Sequence, residues 1–197
     1  IVKELTKASG VWSMQSQLSA KQQGTWPAVL HDIDYLIVGG GGAGAGSGGI
    51  GGGGGAGGYR ASGYGPSPLR GSALKLEKGI HTVTIGAGAA GYNPSYSPGS
   101  FGSNCSGKGN NTSIGVFSAE GGGGGGVGGG PTSPGPGSGG PGGSGGGGNG
   151  GFGTPGGSGN TPSVDPPQGQ DGGLANLHPI PAPHRYSAGG GGGATAA

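Results

Sequence analysis

The segment YLIVGGGGAGAG at 35–46 sets Gly39, Gly41 and Gly44 in the GxGxxG spacing just after an apolar run, which is how a dinucleotide-binding turn begins. That chemistry needs a helix opening at the glycines, because its N-terminus holds the pyrophosphate. Residues 45–58 are mostly Gly, and each costs about 1 kcal/mol relative to Ala in a helix. The acid expected on the following strand is also missing, since 59–65 read YRASGYG. Gly107-Lys108-Gly109 lacks the Ser or Thr that completes a P-loop. His31, His81, His178 and His184 share no metal-ligand spacing, and Cys105 stands alone, so neither a metal centre nor an internal disulfide is predicted. No Ser, His and acid arrangement stands out among only 7 acidic residues. The pattern predicts a protein with no catalytic, cofactor-binding or metal-binding residues, hence not an enzyme.

Binding is read differently. Arg60, Arg70 and Arg185 form no Arg-Gly-Gly repeat, so the stacking and phosphate neutralisation of Gly-rich nucleic-acid binders is not expected. In GYNPSYSPGSFG, Tyr92 and Tyr96 sit among turn formers, where an aromatic ring offers contact area at low entropic cost. They are the candidate surface-binding residues; the other reading is that these rings cover the apolar ends of a sheet. Asn110-Asn111-Thr112 also fits a glycosylation acceptor.

The elements that must position such residues are unusual. Of 197 residues, 62 are Gly and 16 Pro, with 8% charged and a net charge of +2; ordinary chains carry roughly 7% Gly. Ala aside, the apolar and aromatic residues after position 117 are Val127, Phe152, Val164, Leu174, Leu177, Ile180 and Tyr186. The C-terminal part therefore cannot build a side-chain core. No run approaches 18 apolar residues and the start IVKELTKASG lacks a signal-like apolar stretch, so membrane insertion is not expected.

Along the chain, Val11, Met14 and Leu18 recur at helical spacing between Ser9 as N-cap and Gly24 as C-terminal stop, which predicts a short amphipathic helix over 11–23. Isolated helices under about 12–15 residues are marginal, so this segment is expected to dock on another copy or a partner. IDYLIV (33–38) reads as a buried strand, ALKLEKGIHTVTIG (73–86) as two short strands turning at Lys78-Gly79, and TSIGVFSAE (112–120) as another strand. The first and last run straight into glycine blocks. Residues 160–188, with six Pro around LHPIPAPHRY, read as an extended segment folding back before a GGGGGATAA tail.

Glycine runs such as Gly121–Gly126 break the strict third-position repeat of collagen. Gly and Pro share an extended conformation with three residues per turn and no internal hydrogen bonds. Its N–H and C=O groups all seek partners, and only Gly lets neighbouring axes come close, having no Cβ. The ordered state this composition permits is a bundle of polyglycine-II helices, with a flexible Gly/Ser linker as the alternative. The fold class expected is mostly irregular and β: a short N-terminal helix, a small β element and that bundle. Its structural residues are Gly39, Gly40, Gly41 and Gly42, with Gly121, Gly122, Gly123, Gly124, Gly125 and Gly126. Three regions follow: a docking segment at 1–32, a glycine-rich domain at 33–160 and a Pro/Gly-rich extended segment at 161–197.

The order YLIVGGGGAGAGSGG, GGYR, LKLEKGIHTVTIGAGAAG, SFG and IGVFSAEGGGGGG resembles the glycine-rich domain of bacteriophage tail fibre and tail-tip proteins. SGVWSMQSQLSAKQQGTWP looks like a segment that precedes such domains in phage structural proteins. The resemblance implies a virion structural protein, extracellular in place, by analogy a fibre or adhesin subunit contributing to host attachment. It implies a homo-oligomer, trimeric or an open filament, joined to other virion proteins through the N-terminal segment and reading a host-surface glycan or protein. The alternative is a self-assembling extracellular filament subunit with no viral role.

Overall fold

The computed structural model describes residues 10–24, 26, 29–46, 50–63, 65, 69–91, 105–128, 137–150, 153–176 and 187–194. It is mostly β and irregular, with one short helix and three small sheets.

Helix α1 spans Met14–Gln22, shorter than the predicted 11–23. Ser13 rather than Ser9 is its N-cap, its hydroxyl accepting from Ser16 N at 3.1 Å. Gly24, at φ 65°, carries the chain out of the helix. The expected apolar stripe faces solvent: Val11, Met14 and Leu18 are all exposed, and only Ala20 is buried. Trp12 and Trp26 meet edge to face at 5.7 Å.

Strand β1 (Leu30–Ile33) pairs antiparallel with β5 (Leu74–Glu77) as a two-stranded ribbon. Strands β2 (Leu36–Val38), β3 (Tyr59–Ser62) and β4 (Arg70–Gly71) form a second sheet, and β6 (Val83–Thr84), β7 (Thr112–Ile114) and β8 (Phe117–Ala119) a third. The predicted strand 33–38 is divided between two sheets. Ser62 causes the break: its hydroxyl donates to Asp34 Oδ1 at 2.9 Å and accepts from Tyr35 N at 3.0 Å, pinning the chain between β1 and β2. Of the run expected to be buried, Ile37 is buried while Leu36 and Val38 are exposed. The two strands expected to turn on each other at Lys78-Gly79 go instead to different sheets, β5 to β1 and β6 to β7. The tight hairpin is β7–β8, turning at Gly115 with φ 56°.

The rest of the described chain is extended. Segments 39–46, 50–58, 86–91, 105–111, 120–128, 137–142, 143–150, 153–160, 168–176 and 187–194 lie side by side as an array, joined by backbone hydrogen bonds of 2.7–3.3 Å. Strands β2, β3, β6, β7 and β8 continue directly into it, so the sheets form a head at one end. Residues 187–194, which take in the start of the expected GGGGGATAA tail, are an array member: Gly189 N and Gly192 N donate to Gly148 O and Gly145 O.

Candidate functional site

The hydrogen bonds of segment 143–150 repeat every third residue. Ser144, Gly147 and Gly150 donate to Ala56, Gly53 and Ile50; Gly145 and Gly148 donate to Gln170 and Gly173; Gly146 and Asn149 donate to Gly140 and Gly137. Its carbonyls accept with the same period, from Gly123 and Gly126, from Gly192 and Gly189, and from Asn160 and Gly157. Segments 50–58, 120–128, 137–142, 153–160, 168–176 and 187–194 thus enclose it on every side, all from one chain. A backbone repeating every third residue turns successive groups toward successive neighbours, which satisfies buried N–H and C=O groups without a sheet.

At many positions such spacing leaves no room for a Cβ. A Cβ on Gly121, Gly122, Gly123, Gly124, Gly125 or Gly126 would overlap the carbonyl of Gly109, Gly55, Gly140, Ser106, Gly52 or Gly137 respectively, again cycling through three neighbours. Gly39, Gly40 and Gly42 meet Glu120, Ala87 and Gly123 in the same way. Gly41 differs from the other predicted structural glycines: its nearest atom, Gly55 O, lies 4.0 Å away, an ordinary contact distance.

Where side chains enter the array they plug carbonyls. Ser144, Asn149 and Gln168 are its largest fully buried side chains. Ser144 Oγ donates to Gly193 O at 3.0 Å and Asn149 Nδ2 to Ile50 O at 2.9 Å. Thr154 Oγ1 lies 2.9 Å from Gly137 O and 3.0 Å from Asn149 O, and Ser106 Oγ reaches Ala43 O and Gly125 O. Gln168 Nε2 donates to Pro162 O at 3.1 Å and its Oε1 accepts from Glu120 N at 2.9 Å, tying the 160–168 turn to the head. Sequence reasoning overlooked these residues; the signal was a lone Ser or Asn interrupting an otherwise continuous glycine block, as in GSGGGGNG.

The array has two unlike ends. At the end away from the head, bonds link Ala45 to Gly52, Gly52 to Gly126, Gly126 to Gly147 and Asn149 to Gly137, while Cys105 bridges Gly126 and Asn176 bridges Ser187. Ala45, Gly52, Gly126, Asn149 and Asn176 thus lie toward this end. Tyr92 and Tyr96 lie outside the described residues.

At the head, an open groove of about 480 Å³ is lined by Tyr35, Arg60, Arg70, Gly71, Ser72, Phe117, Asp165 and Pro166. The Arg60 guanidinium stacks 3.9 Å over the Phe117 ring and donates from Nη1 to Ser118 O at 2.9 Å. Tyr35 meets the same ring edge-on at 4.7 Å. Burial pushes the Tyr35 phenol above its ordinary value of 10.0, while the Arg60 charge pulls it back. Arg70 Nη2 is held by Gly65 O at 2.8 Å. The groove is built to hold the head's corner together.

Among the described residues, no three His, Cys, Asp or Glu side chains gather as a metal site, and no helix is long and apolar enough to cross a membrane. Gly39, Gly41 and Gly44 run on as array backbone with no helix behind them.

A glycine-rich domain family matches residues 18–197, and the chain belongs to that family. No curated protein and no solved structure matches it.

Proposed function

We propose that the chain is a non-enzymatic structural and attachment protein, a virion tail-fibre or adhesin subunit whose glycine array is a polyglycine-II bundle. The observation that carries this reading is the division of labour between the two ends. A body crosslinked by backbone hydrogen bonds on every side carries an apolar, strand-built head at one end and a strand-free end opposite. Val29, Leu36, Val38, Ile80, Val83, Ile85 and Val116 are exposed at or beside the head strands, and exposed apolar surface of this kind marks interaction sites. The head, with the N-terminal segment before it, is the end that joins the parent structure. The opposite end is the end that meets a host surface, with Tyr92 and Tyr96, which follow Gly91 in the sequence, as the candidate contact residues. Both roles ask for stiffness and for no chemistry, which is what the array supplies.

The test is binding of the labelled, purified chain to a panel of bacterial surfaces, beside a variant in which residues 92–104 are replaced by a Gly/Ser stretch of equal length. Saturable binding to some strains, lost in the folded variant, is expected. Binding to none of them, or equal binding by the variant, overturns the attachment role of that segment.

A further inference from the structure

The ribbon β1–β5 has one mainly apolar face and two free edges among the described residues. Opposed residues on paired strands share a face, so the register puts Leu30, Asp32, Lys75 and Glu77 on one side and His31, Ile33, Leu74 and Leu76 on the other. The second side is mainly apolar, with Ile33 43% exposed and Leu74 and Leu76 half-buried. A two-stranded ribbon is marginal in water by itself and needs further strands or a packed face. Among the described residues neither strand has a second strand partner, so each keeps an outer edge.

A twofold axis through a sheet allows only registers in which a residue faces itself or its face-mates. On β1 such registers set His31 against His31 or Asp32 against Asp32, which gains nothing. On β5 one register is self-complementary. With Leu76 opposite Leu76 of the second copy, Lys75 faces Glu77 of the second copy and Glu77 faces Lys75 of the second copy.

We propose that β5 is a dimerisation edge, joining two copies of this chain as a four-stranded antiparallel sheet in the order β1, β5, β5, β1. One face then carries Ile33, Leu74 and Leu76 from both copies as a continuous apolar surface. On the other, Lys75 keeps Asp32, which it holds at 2.7 Å within its own chain, and gains the facing Glu77; an ammonium has three donors for the purpose. The contact is isologous and closes at two copies. It is independent of any role of the strand-free end in attachment.

The test uses the full chain. Sedimentation equilibrium is expected to give a dimer for the wild type, a monomer for Lys75→Glu and for Glu77→Lys, and a dimer again for the double exchange. Circular dichroism confirms that each variant is folded. Leu76→Cys in a Cys105→Ser background is expected to give a crosslinked dimer on mild oxidation, and Leu30→Cys, on the outer strand, is not. A monomeric wild type, a trimer or filament unaffected by the charge exchanges, or crosslinking equal at positions 30 and 76 overturns the proposal.

Discussion

Gly123 faces the carbonyl of Gly140 so closely that no side-chain atom fits between the two segments, while Gly146 N would stand 3.0 Å from the same added Cβ. Replacing Gly123 with Val must therefore force segments 120–128, 137–142 and 143–150 apart. Overpacking a site that cannot yield costs at least about 3 kcal/mol, or roughly 6–12 °C in melting temperature for a chain of this size. Gly190 is the control, since nothing lies within 4 Å of a Cβ there. Gly190→Ala should raise stability by about 0.4–1 kcal/mol, because Ala narrows the unfolded ensemble. Thermal melts of both variants decide it: equal melting temperatures would mean the array is not packed as described.

Gln168→Ala removes the acceptor of Glu120 N and the donor to Pro162 O in one step. Leaving such buried groups unpaired costs about 1–3 kcal/mol. The expected result is a lower melting temperature together with faster hydrogen exchange at the Glu120 amide, where the 160–168 turn lets go of the head. Slowed or unchanged exchange there would show that another group holds the turn.

Segment 143–150 should hold the slowest-exchanging amides of the chain although it contains no helix or strand, because its N–H groups are bonded inward on every side. Exchange read by mass spectrometry should place its protection above that of α1, which exposes Met14 and Leu18. Rapid exchange throughout 143–150 would be the behaviour of a linker.

Tyr35 gives the pH dependence. Its folded pKa is raised, chiefly by burial, so above about pH 10 the unfolded chain loses this proton first and the folded state still holds it. Stability falls as pH rises through that window, and below it the contribution is constant. Phenolate absorbance, compared between wild type and Tyr35→Phe, should show Tyr35 titrating later than exposed tyrosines. The alkaline loss of stability should be shallower in Tyr35→Phe.

How much of this could be read beforehand depends on what decides each element. Gly121–Gly126 stand out in the sequence because hexaglycine has few uses other than close approach; a Cβ added to any of them would meet a neighbouring carbonyl. The break at Asp34-Tyr35 was not, since it depends on Ser62, distant in sequence, supplying one hydroxyl to both. The helix boundary slipped for a local reason, Ser13 rather than Ser9 capping it. Leu74–Glu77 and Val83–Thr84 looked like partners because they are neighbours in sequence, yet each found a better ladder elsewhere. The Arg60–Phe117 stack at the head could not be foreseen from two residues so far apart in the chain.

Enclosure of segment 143–150 has a consequence for how the chain comes to be folded. Its partners include Gly53, before it in the chain, and Gly189 and Gly192, well after it. The central segment cannot be completed until Gly192 has left the ribosome, and contacts of such long range slow folding. Most proteins that wait in this way expose sticky apolar surface while they do so. Here the waiting stretches are mainly glycine, with their polar groups bonded to water, so a slow folder can delay without aggregating.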